Sequence, residues 1–232
     1  MNQITLRDKI NGIVFTNRCA FCGEVVEFDA VLCEECATAK HIEQPLCLRC
    51  GASKKECRCK RQRRKPEYKA ICAPFYYEGS IARAVLNFKM QEIPALAPAQ
   101  GREIALAVRR NYKDVSFDYA TFVPMMKADK RRRGFNQAEL LAEAVAGYLD
   151  IPCRAMVYKR RRTKMQKRQS GTDRFVNMYN AFAPLKNADI DGKTILLIDD
   201  VKTTGSTLSS VALTLNAYGA KAVYCATFAI TK

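Results

Sequence analysis

From residue 70 onward, short apolar runs alternate with stretches whose apolar residues recur every three to four positions, the period of a helix face. The runs Ala70–Tyr77, Tyr119–Val123, Ala155–Tyr158, Thr194–Ile198 and Ala222–Phe228 predict strands. Ser80–Lys89, with Ile81, Val85 and Phe88 on one face, predicts a helix, as do the segments around Ile104–Val108, Asn136–Leu149 and Thr207–Tyr218. The last of these stops at Gly219, the residue type best suited to a left-handed cap. Strands and helices alternating at this spacing predict an α/β fold, a parallel sheet flanked by helices. Residues 5–15 predict a short amphipathic helix, with Leu6, Ile10, Ile13 and Val14 on one face and Thr5 as its cap.

Between that helix and residue 70 the pattern carries cysteines instead of a hydrophobic period. Eight of the chain's 11 cysteines fall between Cys19 and Cys59, spaced Cys19-x2-Cys22-x10-Cys33-x2-Cys36-x10-Cys47-x2-Cys50-x6-Cys57-x-Cys59. No apolar run approaches the roughly 18 residues of a membrane span, and the N-terminus lacks the apolar core of a secretion signal. The expectation is a cytoplasmic protein without membrane insertion, where paired cysteines mean metal rather than disulfides. Two four-thiolate sites, each closed around a structural zinc, account for all eight. Sequential pairing, Cys19/Cys22/Cys33/Cys36 and Cys47/Cys50/Cys57/Cys59, suits the ten-residue spacers. Interleaved pairing, joining Cys19/Cys22 to Cys47/Cys50, is chemically open as well. About forty residues cannot bury enough surface to fold unaided, so metal is expected to stabilise them. The expected division is 1–65, the N-terminal helix, cysteine module and basic linker, and 66–232, the α/β domain, each with its own core. Cys72, Cys153 and Cys225 read as core residues. His41, the only histidine, has no partner carboxylate or second histidine assigned to it by the sequence and reads as a surface residue, not a general base.

The C-terminal half carries the clearest chemistry. Ile195–Ile198 ends in two carboxylates, Asp199 and Asp200, then Thr203-Thr204-Gly205-Ser206-Thr207, then a helix. Ligands in open α/β sheets bind at the carboxyl ends of strands. Small residues let backbone amides wrap a phosphate, and the following helix N-terminus favours an anion. The two aspartates suit ribose hydroxyls, or a Mg²⁺ that screens them from phosphate. No Walker A loop is present.

This run resembles the PRPP-binding motif of type I phosphoribosyltransferases. Further residues narrow the resemblance: Tyr77-Glu-Gly, Leu86-Asn-Phe-Lys89, Pro124, Arg131-Arg-Arg-Gly-Phe-Asn-Gln137, Leu140-Leu-Ala142, Thr163-x-x-Gln166, Arg174-x-x-Asn177 and Ala181-Phe182. Over nearly its whole length the chain is similar to the ComF family, competence-associated phosphoribosyltransferase-like proteins with an N-terminal cysteine-rich zinc module. It departs at Cys57-Arg-Cys59, where the family pattern has two intervening residues. The resemblance implies a phosphoribosyltransferase-like sheet, structural zinc, and Mg²⁺ with PRPP. By the same resemblance, Arg131, Arg132 and Arg133 fall where a pyrophosphate loop or a mobile basic loop sits. A DNA-uptake helicase or other competence proteins are implied partners.

Charge widens the set of partners. The formal net charge is +16, and residues 127–174 hold 14 lysines and arginines against five acids. Two zinc ions and eight thiolates leave roughly +12, still strongly basic. Basic runs at 54–65, 127–133 and 159–168 suit a polyanion, and Arg160, Arg161, Arg162, Lys164, Lys167 and Arg168 are the candidate track for single-stranded DNA. Phe135, Tyr158 and Phe175 are candidates for base stacking or for the core. Three functions stay open. One is handling single-stranded DNA in DNA uptake (natural transformation), with PRPP or ribose 5-phosphate in the loop. The second is phosphoribosyl transfer to an unknown base or amine, with no side chain assigned a catalytic role. The third is non-catalytic sensing of PRPP.

Overall fold

The computed structural model describes residues 17–27, 29–59, 65–91, 93–160 and 181–232. The helix expected at 5–15 lies outside the described residues, as do Arg161, Arg162, Lys164, Lys167, Arg168 and Phe175.

In chain order the elements are α1 (Glu34–Ala37), β1 (Ala70–Cys72), β2 (Phe75–Tyr76), α2 (Gly79–Met90), α3 (Ala97–Asn111), β3 (Tyr119–Phe122), α4 (Lys127–Arg133) and α5 (Gln137–Leu149). They continue as β4 (Val157–Lys159), β5 (Phe182–Pro184), β6 (Thr194–Lys202), α6 (Ser206–Ala217) and β7 (Ala222–Ile230). The main sheet runs β1-β7-β6-β3, with β2 also on β7, and every pairing in it is parallel. β4 and β5 form a separate antiparallel pair.

Strand β6 shows why the sheet reads as a continuous apolar run. Ile195 and Leu197 point into one core, with α6 and the β4–β5 pair; Leu196 and Ile198 point into the other, with α2, α3 and α5. A strand covered on both faces alternates side without alternating polarity. α3 and α5 pack closely: a Cβ on Gly101 would lie 2.5 Å from Ala144 Cβ, so only glycine allows this crossing.

Three expectations change. β6 extends past Ile198 to Lys202, because β7 runs on to Ile230 beside it and pairs Asp199 with Thr227 and Val201 with Ala229. Residues 127–133, expected as a loop, form the short helix α4 with its cations in the last turn, where the helix dipole favours them. Among the described residues, the cysteine module shares its core with the sheet domain. Cys19, Phe21, Cys22, Cys36, Ile42, Leu46 and Ala52 join the core beneath α2, α3 and α5. Phe21 packs edge-on against Phe75 at 5.9 Å and Phe228 at 5.6 Å, both in the sheet. Among the described residues, no helix is long and apolar enough to cross a membrane.

Candidate functional site

The cysteine sulfurs gather as Cys19/Cys22/Cys33/Cys36 and Cys47/Cys50/Cys57/Cys59, each set lying within 4.8 Å of one another. The approaches Cys22–Cys33, Cys47–Cys59 and Cys50–Cys57 measure 3.7, 3.9 and 3.7 Å. A tetrahedron with Zn–S near 2.3 Å has edges of about 3.8 Å, so both sets fit zinc. The one-residue spacer between Cys57 and Cys59 still closes the second set, and the Cys59 amide points at Cys57 Sγ over 3.4 Å. Burial pushes the Cys19 thiol up, but amides of Cys33, Cys22 and Phe21 outweigh it and bring the thiol down to about 7. Cys47 is likewise opposed by burial and brought down to about 7, chiefly by Cys57 and the amides of Arg49 and Cys50. In each set one thiol is thus brought toward the ionised form that a metal ligand takes, while burial pushes Cys22, Cys36, Cys50 and Cys59 up. Both sites are closed by four sulfurs and so are structural.

Each knuckle is tied to the sheet domain. The Cys22 carbonyl accepts from Asn87 Nδ2 at 2.8 Å, and Arg83 pairs with Glu24 at 3.2 Å and with Glu35, so the first knuckle holds α2. The Phe21 carbonyl accepts from buried Gln100 Nε2 at 2.9 Å. On the second knuckle, the Arg49 carbonyl accepts from Tyr68 Oη at 3.3 Å. His41 does have a carboxylate partner, contrary to its reading from sequence: Nε2 lies 2.9 Å from Glu103 Oε2, and the ring stacks on Phe75. Glu103 stands 62 positions away on α3, beyond any local pattern.

At the carboxyl end of β6, Asp199 and Asp200 stand side by side. The Asp200 amide donates to Asp199 Oδ1 at 2.9 Å, and the Val201 amide to Asp200 Oδ1 at 2.6 Å. Burial first, then the charge of Asp200, pushes the Asp199 carboxyl up to about 8, against the Asp200 amide, Lys89 and Lys159. Asp200 is buried and carries an ion pair, its Oδ2 2.8 Å from Lys89 Nζ in the last turn of α2. Lys89 closes the Leu86–Lys89 motif, but spacing alone gives it no role.

The loop that follows faces solvent. Thr203, Thr204, Ser206 and Thr207 are exposed, and Thr204 Oγ1 shares a 2.8 Å hydrogen bond with Ser206 Oγ while accepting from the Ser206 amide at 3.3 Å. Gly205 takes φ +77, and a Cβ there would meet Lys202 Cε at 3.3 Å and Tyr68 Oη at 3.4 Å. The left-handed turn and the close approach both require glycine. α6 starts at Ser206, so its first amides open onto the same space.

β3 ends beside β6 and in the same direction, so α4, two turns at most, sits at this rim of the sheet. Lys127, Lys130, Arg131 and Arg132 are exposed, and Arg133 is half-buried with Nη1 on Gln137 Oε1 at 3.3 Å. The next residues of the Arg-Gly-Phe-Asn-Gln motif are structural. Gly134 turns at φ +79, Phe135 packs on Phe88 at 5.9 Å, and Asn136 caps α5 while donating to the Val123 carbonyl at 3.1 Å. Phe135 therefore belongs to the core, whereas Tyr158 is exposed. Arg160 is exposed at the end of β4. Cys72 and Cys225 are fully buried and Cys153 half-buried.

These features define a phosphoribosyltransferase-fold domain joined to an N-terminal double zinc ribbon. Residues 136–232 match the family model of the phosphoribosyl transferase domain, and residues 10–74 that of the double zinc ribbon domain. The chain is 29% identical over 221 residues to Competence protein F of Haemophilus influenzae, covering 90% of this chain and 95% of that one. It is 30% identical over 199 residues to DNA utilization protein YhgH of Salmonella typhimurium, covering 83% of this chain and 87% of that one. The chain belongs to the ComF family of competence-associated, phosphoribosyltransferase-like proteins. Glutamine PRPP amidotransferase from B. subtilis, solved with ADP and GMP, is 17% identical with a TM-score of 0.43, over 61% of this chain and 30% of that one.

Proposed function

We propose that this protein binds PRPP or ribose 5-phosphate at the end of β6 and handles single-stranded DNA during DNA uptake, in the cytoplasm. The observation that carries the reading is the Asp199–Asp200 pair, followed after two residues by an exposed Thr-Thr-Gly-Ser-Thr loop and the N-terminus of α6. Carboxylates accept from hydroxyls and repel phosphate; hydroxyls and amides do the reverse. The two ends of the site therefore sort the two ends of a ribose phosphate, with diol on Asp199 and Asp200 and 5-phosphate on Thr203–Thr207. Mg²⁺ would accompany PRPP; Asp199 and Asp200 would be the residues to hold it, and it would supply charge neutralisation for the pyrophosphate. Relatives named for competence and DNA utilization support the DNA role, and so do the exposed cations of α4 and Arg160 at the surface. A strand end carrying a phosphate presents the same chemistry to the loop as ribose 5-phosphate does.

Phosphoribosyl transfer to a base or amine is the second reading, favoured by the phosphoribosyl transferase domain match. Departure of pyrophosphate through an oxocarbenium-like state needs charge stabilisation and no side-chain nucleophile. Release of pyrophosphate from PRPP with mixed bases separates this from binding alone.

The test is a melting series with PRPP and Mg²⁺. Saturation to a hundred times Kd should add about 2.7 kcal/mol of stability. Asp200→Asn and Thr204→Val should each shrink the shift, the first by weakening a hydroxyl acceptor and the second by removing a phosphate donor. A melting temperature unmoved by millimolar PRPP would sink the ligand assignment.

A further inference from the structure

We infer that Lys89 is a ligand-exchanged cation, pairing with Asp200 in the free protein and passing to the pyrophosphate of PRPP when a ribose diol takes Asp200. The inference rests on the phosphoribose reading above and adds to it the residue that tells PRPP from ribose 5-phosphate.

Four observations meet at this lysine. Its ammonium lies 2.8 Å from Asp200 Oδ2, the carboxylate that a ribose hydroxyl would need. The Lys89 side chain is 31% exposed and that of Asp200 11%, so the pair stands at the mouth of the site with the carboxylate inside and the cation outside. α2 is fixed from below by Ile81, Ala84, Val85 and Phe88 in the core, and Phe88 holds the turn that carries Lys89. Two residues before Lys89, Asn87 is tethered to the Cys22 carbonyl, so the first zinc knuckle sets the depth of the last turn of α2.

Chemistry decides which way the cation moves. In PRPP the pyrophosphate is on C1, next to the C2 hydroxyl. A diol on Asp199 and Asp200 therefore brings the pyrophosphate oxygens beside the same carboxylates. An ammonium on a flexible four-carbon stem can turn from one anion to the other without moving the helix. Ribose 5-phosphate carries only a neutral hydroxyl at C1, so it offers no anion there to receive the ammonium. Binding that ligand breaks the Lys89–Asp200 pair without replacement, whereas binding PRPP exchanges one ion pair for another. Lys89 thus opposes ribose 5-phosphate and favours PRPP, a specificity role distinct from holding the diol or the 5-phosphate.

Calorimetric titration of the zinc-loaded full chain with ribose 5-phosphate and with Mg²⁺·PRPP tests this in wild type, Lys89→Met and Lys89→Gln. Both variants should lose about tenfold in PRPP affinity, the scale of one charged hydrogen bond. Both should keep or improve their affinity for ribose 5-phosphate, which measures whether the site is still folded. Equal losses for the two ligands would make Lys89 merely structural and overturn the inference, and so would unchanged affinity for both. If wild type binds neither ligand, the phosphoribose reading itself falls and takes the inference with it. Wild-type binding without a split between the ligands rejects the Lys89 role alone.

Discussion

Phe21 sits between two cysteines of the first knuckle in sequence and between two sheet aromatics in space, so truncating it tests whether ribbon and sheet fold as one unit. The residue is 7% exposed and its ring meets Phe75 and Phe228 edge-on. Phe→Ala at a core position costs roughly 3–5 kcal/mol, part of it the aromatic contacts that area alone does not count. For a chain of this size each kcal/mol moves the melting temperature by about 2–4 °C, so Phe21→Ala should lower it by about 6–20 °C. Scanning calorimetry of the zinc-loaded protein measures the shift, and Val31→Ala is the control. Val31 is in the same ribbon but 70% exposed, and its truncation should cost within about 0.5 kcal/mol. In a shared core the sheet's own transition moves with the ribbon's. Two transitions, with the sheet's unmoved by Phe21→Ala, would refute the shared core.

Other consequences follow from the same contacts. Freshly reduced protein should contain close to two zinc ions per chain, one for each cysteine set, and less than one by elemental analysis rejects the two-site arrangement. Chelation should lower the melting temperature of the sheet domain as well as the ribbon, visible as near-ultraviolet circular dichroism lost in a single earlier transition. The raised Asp199 carboxyl sets a pH dependence: the unfolded chain ionises this group near pH 4 and the folded one near pH 8, so stability falls as pH rises through that window. Asp199→Asn should flatten the slope and gain on the order of a few kcal/mol over wild type at pH 8.5, and parallel urea-unfolding profiles from pH 5 to 8.5 would contradict it. Binding of single-stranded DNA should weaken with salt, and replacing Arg160, Arg161 and Arg162 by alanine should flatten the log–log slope by about two if all three touch phosphates. An unchanged slope would remove them from the track.

What the sequence discloses here is what short-range physics decides. The strands and helices after residue 70 are legible because burial on both faces leaves apolar runs, and burial on one leaves a helical period. The phosphate loop is legible because its chemistry is contiguous, from Asp199 to Thr207. β6 beyond Ile198 was not, since a polar Asp-Asp-Val-Lys segment becomes strand only because β7 continues beside it. α4 was not, since Lys127–Arg133 buries no residue and presents no apolar face for a period to mark.

The same distinction explains the site. Loop, aspartates and cysteine sets are local motifs, but the contacts joining them span 65 positions from Asn87 to Cys22 and 62 from His41 to Glu103. No spacing rule reaches across such distances, and the cysteine pattern by itself suggests a metal-stabilised module with its own core. Its apolar residues say otherwise once placed: Phe21, Ile42 and Leu46 join the core beneath α2 and α3. Zinc bound to the first cysteine set would then do more than hold a small appendage. Cys22, one of its ligands, also offers the carbonyl that holds Asn87, two residues before the lysine that reaches Asp200. The ribbon is thereby joined through one helix to the Asp199–Asp200 pair in the second half of the chain.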